Sequence, residues 1–116
     1  MPTPTEIRLR RAERVLEVAF DDGGRFSLPA EYLRVESPSA EVQGHAPEQR
    51  KVVPGKRRVA ITAVEPVGHY AVRLVFDDGH DTGLYSWDVL HALGREQQAR
   101  WQAYLDALDS KGLSRG

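Results

Sequence analysis

The chain contains an internal repeat, and this repeat limits the possible folds more than any other feature of the sequence. Val15–Gly23 reads VLEVAFDDG and Ala71–Gly79 reads AVRLVFDDG, so that each copy alternates apolar and polar residues before Phe-Asp-Asp-Gly. Alternation with a period of two predicts a half-buried strand, and Asp-Gly at its end predicts a tight hairpin turn. The sequence therefore predicts two hairpins of the same design.

A short apolar stretch and a helix start follow each of the two turns. The stretches are Arg25–Leu28 and Thr82–Tyr85. Pro29 suits the first turn of a helix, whereas Ser86 suits an N-cap, with Asp88 near the positive end of the helix dipole. Strand, turn, strand and helix are thus expected to occur twice, as a scaffold.

The segment between the two copies, Glu36 to Arg58, differs in composition from the rest of the chain. It is rich in proline and glycine and has few large apolar residues, which predicts a long loop with a short strand at Lys51–Val53. A further strand is expected at Val59–Val64. A helix at Arg95–Leu108, preceded by Gly94, places apolar side chains on one face that should pack on the sheet.

These elements predict one α+β domain: a twisted, mainly antiparallel sheet with two short helices and a C-terminal helix packed against it. The chain has 116 residues, which is the size of a single domain. The domain is expected to span residues 6–110. Residues 1–5 are expected to form a disordered N-terminus and residues 111–116 a frayed tail.

Composition narrows the class of protein. The formal net charge is -1, which excludes a uniformly basic surface for nucleic acid. The absence of cysteine excludes disulfides, thiol nucleophiles and thiolate metal sites. No apolar run approaches the roughly 20 residues of a membrane span, so we expect a cytoplasmic protein without a membrane partner.

Signatures of catalysis are missing as well. The sequence has no Gly-x-Ser-x-Gly turn and no His-Glu-x-x-His motif. Pro54–Arg58 does not form a phosphate-binding loop, because it lacks both the first glycine and the hydroxyl residue of that motif. We therefore expect a protein that is not an enzyme and for which no cofactor is predicted.

Three stretches of the chain together resemble a known family. Leu28–Arg34 (LPAEYLR), Ser37–Val42 (SPSAEV) and Phe76–Trp87 (FDDGHDTGLYSW) are similar to the gamma-butyrobetaine hydroxylase N-terminal-like domain in its small stand-alone bacterial form. The resemblance extends over Ile7–Leu108. It implies three settings for such a domain: ahead of the catalytic barrel of 2-oxoglutarate-dependent oxygenases, attached to P-loop ATPases that carry iron–sulfur clusters, and alone with no settled activity.

The same resemblance implies a structural zinc site in the oxygenases, held by three cysteines and one histidine. The matching positions here are Ser37, Ser39, Val42 and His80. Valine has no ligand atom and neutral serine hydroxyls are poor zinc ligands, so the cysteine-type site is lost. We expect Ser37 and Ser39 to fasten the loop instead, by capping turns near His80 with hydrogen bonds worth about 1 kcal/mol each.

Two alternatives remain open for binding chemistry. The first is a metal-binding module in which His80, with Asp81 and the distant His45, binds a divalent metal. The second is weak nucleic-acid binding through the basic loop 50–58, although the aromatic residues expected of a single-strand platform are missing there. The basic patch of this loop comprises Arg50, Lys51, Lys56, Arg57 and Arg58.

The leading hypothesis is a non-catalytic accessory or protein-interaction module. Ser37, Ser39, Tyr85 and Trp87 are predicted to form a partner-binding surface beside His80, because interfaces depend on a few aromatic anchors. By analogy with the fusions, the partner would be an iron–sulfur carrier ATPase or an oxygenase. The role would then be linked to iron–sulfur or metal-cofactor handling.

Overall fold

The computed structural model describes residues 2–116, and Met1 lies outside the described part of the chain. Within that range, six strands form two antiparallel three-stranded sheets, ordered β1-β2-β3 and β4-β5-β6. The strands are β1 (Pro4–Arg10), β2 (Val15–Phe20), β3 (Arg25–Pro29), β4 (Ile61–Val67), β5 (Ala71–Phe76) and β6 (Leu84–Ser86). The helices are α1 (Ala30–Val35), α2 (Ala40–Gln43), α3 (Trp87–Arg95) and α4 (Gln97–Ser110), with a 3-10 turn at Pro47–Gln49. The predicted α+β class is confirmed, and the strands divide between two sheets.

The internal repeat is confirmed as two hairpins of the same geometry. The backbone N–H groups of Phe20 and Phe76 each donate to the carbonyl four residues later, at 2.8 and 3.0 Å. Gly23 and Gly79 have φ angles of 88° and 90°. Residues with a Cβ adopt this backbone only with strain, so the glycine of each Asp-Asp-Gly sets the turn.

The correspondence between the two copies extends to the strand before each hairpin. Oδ1 of Asp21 accepts a hydrogen bond from the N–H of Thr3 at 3.1 Å, and Oδ1 of Asp77 accepts one from the N–H of Ala60 at 3.0 Å. β1 and β4 also both carry a bulge near their start. The first aspartate of each Asp-Asp-Gly therefore connects its hairpin to the start of the preceding strand. Each sheet is thus formed by strands that are consecutive in the chain.

Helix α3 begins where the sequence predicted. Oγ of Ser86 accepts a hydrogen bond from the N–H of Val89 at 3.2 Å, which confirms Ser86 as the N-cap. Gly94, expected to precede the last helix, instead lies inside α3, where an added Cβ would stand 2.4 Å from the ring of Phe26. The missing side chain lets α3 pack closely on β3, and α4 begins at Gln97.

The main core joins inner faces of both sheets to α1 and α3. Leu16 of the first sheet and Leu74 of the second are fully buried in it. A smaller cluster joins Val35, at the end of α1, to Tyr104 and Leu108 of α4. α4 therefore packs mainly on α1 and the long loop, where the sequence predicted packing on the sheet.

The N-terminus and two predicted strands differ from the sequence-based expectation of disorder at residues 1–5 and strands at Val59–Val64 and Lys51–Val53. β1 begins at Pro4 and pairs with β2, so residues 4 and 5 belong to the sheet. β4 begins at Ile61 and runs through Pro66, because Pro66 lies on an edge strand where a missing N–H is tolerated. Lys51–Val53 is an irregular part of the loop and forms no strand.

The final segment, residues 111–116, is bound to the long loop. The N–H of Gly55 donates to the carbonyl of Ser114, and the N–H of Arg57 donates to the carbonyl of Arg115, both at 2.9 Å. These bonds join residues far apart in sequence, and the local composition predicted fraying instead. In the same described part of the chain, no helix has the length and apolar character needed to cross a membrane.

Candidate functional site

His80 lies at the end of the second hairpin and is buried, with 7% of its surface exposed. The turn holds it there, because Oδ1 of Asp78 accepts a hydrogen bond from the His80 N–H at 3.0 Å. Its Nε2 lies 2.8 Å from Oγ of Ser37, a fully buried residue of the long loop. The hairpin and the loop therefore meet at a buried polar contact.

Ser39 forms a second link between the loop and the hairpin. Its Oγ caps α2 by accepting a hydrogen bond from the N–H of Glu41 at 3.1 Å, and it lies 2.6 Å from Oγ1 of Thr82. Thr82 in turn donates to the carboxylate of Glu41. Ser37 Oγ also accepts a hydrogen bond from the Ser39 N–H at 3.2 Å. The expected role of both serines near His80 is confirmed, and we call Ser37, Ser39, Glu41, His80 and Thr82 the loop–hairpin junction.

A charged cluster borders the loop–hairpin junction. Oδ2 of Asp78 lies 2.8 Å from Nε of Arg34 in α1 and 2.7 Å from Nζ of Lys56 in the loop. Burial opposes ionisation of Asp78, but hydrogen bonds from Lys56, from the His80 N–H and from Arg34 outweigh it and lower the pKa of the carboxyl. The charged Asp78 carboxylate therefore connects α1, the loop and the hairpin.

The His80 ring is neutral in this arrangement. Nδ1 lies 3.4 Å from the Glu41 carboxylate, which only accepts, so the ring proton is assigned to Nδ1 and Nε2 accepts from Ser37. Burial, followed by repulsion from Arg34, lowers the pKa of His80 below its usual 6.5, although nearby carboxylates favour the charged ring. Protonation would force Nε2 to donate to Ser37 instead.

The lowered pKa of His80 predicts that stability falls with decreasing pH. The unfolded chain takes up a proton at His80 near pH 6.5, before the folded chain does, so the free energy of unfolding decreases from there down to the folded-state pKa. Urea unfolding between about pH 8 and pH 5 measures the effect. The variant His80→Gln does not titrate at this position and should show a shallower decrease. The same pH dependence in both proteins would contradict the prediction.

The residues of the loop–hairpin junction do not fit the zinc ion that the resemblance implies. Nε2 of His80 is engaged by Ser37, and Val42 is buried with 2% of its surface exposed. Two neutral hydroxyls and a valine offer no thiolate, and the polar atoms are already hydrogen-bonded to one another. The loop–hairpin junction is therefore a hydrogen-bonded connection between the loop and the hairpin.

The residues of the alternative metal site are not brought together either. Asp81 pairs with Arg73 at 3.3 Å, and His45 is an exposed loop residue whose N–H donates to the side chain of Gln49. Among residues 2–116, no three His, Asp or Glu side chains are grouped closely enough to bind one metal ion.

Comparison with known proteins identifies the family. The profile described as "Gamma-butyrobetaine hydroxylase-like, N-terminal" matches residues 7–91, which is more than half of the chain. The chain belongs to this family. The resemblance carried by Leu28–Arg34, Ser37–Val42 and Phe76–Trp87 is thus confirmed. A search of curated proteins finds no match.

Solved structures of similar proteins share the fold of this hydroxylase-like N-terminal domain. Two NMR solution structures are 46% and 51% identical to it; each is matched over 99% of this chain and over 90% and 86% of its own, with TM-scores of 0.86 and 0.85. A crystal structure from Acidithiobacillus ferrooxidans is 43% identical over 79% of this chain and 92% of its own, with a TM-score of 0.67. That protein is described as one of unknown function in the DUF971 family.

The partner-binding surface predicted for the domain is largely internal. Ser37 and Tyr85 are fully buried, and Ser39 is 7% exposed. Tyr85 is held inside because its hydroxyl donates to the carbonyl of Leu33 at 2.6 Å. The prediction that these three residues contact a partner directly is therefore wrong. Trp87 is half-buried and remains within reach of a partner.

Two exposed apolar side chains lie at the edge of the second sheet, one at each end of the β5–β6 pair. Tyr70 is 60% exposed and Leu84 is 47% exposed. The N–H of Trp87 donates to the carbonyl of Tyr70 at 3.1 Å, so these two residues face each other at the end of the β5–β6 pair. Leu84 begins β6, which is an edge strand. We call Tyr70, Leu84 and Trp87 the β6 edge surface.

The basic patch of loop 50–58 is partly neutralised. Arg50 forms an ion pair with the buried Glu36, and Lys56 pairs with Asp78. Lys51, Arg57 and Arg58 are exposed. Since two of its five cations are held by acids of the same domain, the loop offers nucleic acid less positive charge than its sequence suggested.

Proposed function

We propose that this domain is a non-catalytic protein-interaction module whose partner binds the β6 edge surface. The observation that carries the proposal is the exposure of Tyr70 and Leu84 beside the edge strand β6. Edge strands offer free backbone groups to an added strand, and exposed aromatic and aliphatic side chains beside them supply anchors.

The loop–hairpin junction supports the β6 edge surface from inside the domain. Thr82 lies two residues before Leu84, and Gly83 between them packs so closely that an added Cβ would stand 2.6 Å from Oγ of Ser37. Because Ser37, Ser39 and Thr82 are hydrogen-bonded together, the start of β6 is fixed in place. A rigid edge strand binds a partner at a lower entropic cost than a mobile one.

We infer the partner class from the settings of related domains. Domains that this one resembles occur with iron–sulfur carrier ATPases and with oxygenases, so a protein of one of these classes is the proposed partner. The module would then act in iron–sulfur or metal-cofactor handling by positioning its partner, with the reaction carried out by that partner.

Site-specific photocrosslinking in the native cell tests the proposal. A photoreactive phenylalanine analogue at position 84 should yield a discrete adduct with an iron–sulfur carrier ATPase or an oxygenase. The matched control places the same analogue at Ser27, an exposed residue of β3 in the other sheet. Leu84→Ser should weaken binding to the purified partner by about tenfold, the expected loss of one apolar anchor. Equal adducts at both positions, or none at position 84, would refute the proposal.

A further inference from the structure

Helix α1 carries a buried carboxylate, although carboxylates usually lie in solvent. Glu31, in the first turn of α1, is 7% exposed. Burying a carboxylate is unfavourable unless it is paired and hydrogen-bonded. Arg115 provides both: its Nε donates to Oε2 at 2.8 Å and its Nη2 donates to Oε1 at 2.7 Å. The two groups form the parallel fork in which guanidinium and carboxylate match best.

An aromatic wall completes the surroundings of the guanidinium. The Cζ atom of Arg115 lies 5.3 Å from the centroid of the Trp101 ring, within the range of a cation–π interaction. Trp101 is held by Tyr32, whose ring meets it edge-on at a centroid distance of 6.3 Å. A cavity of about 260 Å³ adjoins the guanidinium, and Arg115 itself lines it together with Glu31, Tyr32, Trp101, Pro29 and Gln97.

The backbone of Ser114 and Arg115 is hydrogen-bonded to the long loop as well. The carbonyls of Ser114 and Arg115 accept hydrogen bonds from the N–H groups of Gly55 and Arg57, both at 2.9 Å. These two bonds require no particular side chain on the bound segment. Together with Glu31 and Trp101, these bonds hold one arginine within an extended segment. Peptide-binding sites use the same combination of main-chain pairing and side-chain contacts.

We propose that Glu31, Tyr32 and Trp101, with the backbone of loop 55–57, form a binding site for an arginine-containing extended peptide segment. Residues 114–116 occupy this site in the same molecule. An arginine in a flexible segment of a partner protein binds there when residues 114–116 move away. This site is separate from the β6 edge surface and does not depend on it.

Peptide binding to the full chain carrying Arg115→Ala tests the assignment. The probe is the blocked peptide acetyl-Leu-Ser-Arg-Gly-amide, and the matched control peptide carries citrulline, which has the same shape without the charge. NMR shifts of the Trp101 indole measure binding. We expect saturable binding of the arginine peptide to Arg115→Ala, at least about tenfold tighter than to the unaltered chain. The internal segment of this variant is held by its two main-chain bonds alone, so the peptide displaces it more easily.

Further variants keep the assignment falsifiable. Adding Glu31→Gln to Arg115→Ala should abolish preference for the arginine peptide over the citrulline peptide. If Arg115→Ala is only partly folded, the arginine peptide should raise its melting temperature and the citrulline peptide should not, since a ligand stabilises the state that binds it. The proposal is overturned if the Trp101 signal shows no saturable shift up to about 10 mM peptide, or if both peptides act alike.

Discussion

Replacing Ser37 by alanine is expected to destabilise the domain by about 2–3 kcal/mol, because two buried polar groups lose their partner at once. Nε2 of His80 and the N–H of Ser39 both hydrogen-bond to Ser37 Oγ, which is fully buried. The cavity left by one hydroxyl is too small to restore both bonds with a well-placed water. Urea unfolding measures the change in the free energy of unfolding.

The matched control for Ser37→Ala is Ser27→Ala. Ser27 is exposed on β3, so this variant should differ from the unaltered protein by no more than about 0.5 kcal/mol. Hydrogen exchange adds a local measurement: amides of α2, which Ser39 caps, should lose protection in Ser37→Ala and keep it in Ser27→Ala. A Ser37 variant as stable as the control would show that the loop–hairpin junction does not hold the loop.

Replacing Gly94 by alanine is expected to destabilise the domain by about 2 kcal/mol, although glycine-to-alanine changes inside helices usually stabilise by about 1 kcal/mol. The added Cβ would stand 2.4 to 2.7 Å from three ring atoms of Phe26. The contacted atoms include Cγ at the base of the ring, so rotation of the ring about its own axis does not relieve the clash. Phe20 and His91 flank the ring edge-on at centroid distances of 5.9 and 5.8 Å. Thermal and urea unfolding measure the loss.

A double-mutant cycle separates the contact between Gly94 and Phe26 from other effects of the substitution. In a Phe26→Ala background the ring and its Cγ are absent, so Gly94→Ala should become neutral or stabilising, and the coupling should exceed about 1 kcal/mol. If Gly94→Ala costs the same in both backgrounds, the close approach of α3 to β3 is not the cause of the destabilisation.

The local elements of the fold could be predicted from the sequence because each depends on neighbouring residues. Alternating side chains followed by Asp-Asp-Gly determine a hairpin within about ten residues, and Ser86 caps the helix that it precedes. The division into two sheets, the packing of α4 and the binding of residues 111–116 depend on contacts between distant segments. No local pattern predicts such contacts.

The members of the candidate site could be predicted from the sequence only in part, because the site joins two distant segments. Ser37, Ser39 and His80 were found through the resemblance, and they do meet. Glu41 and Thr82 were missed, although each lies two residues after a predicted member of the site, Ser39 and His80. Their spacing was a usable signal, since a side chain two positions further along a turn commonly bonds back to it.

The burial of Ser37 and Tyr85 was not evident from their residue types. Polar and aromatic side chains near a supposed site suggested a surface, yet both are internal because their hydrogen bonds are satisfied there. The pair Glu31–Arg115 joins residues 84 positions apart. Neither residue has a sequence context that distinguishes it from an ordinary surface charge.

The division of the strands into two sheets also has a consequence for the order of folding. Each sheet pairs only strands that follow one another along the chain, so its contacts are short-range and its loops are cheap to close. Each half can therefore collapse as a local unit within a short stretch of the chain. We expect docking of the two halves to be slower, since it must bring together the ends of the 36–58 segment and form the contact between Ser37 and His80. We therefore expect ordering of the loop to be the last step of folding and the first step of local unfolding.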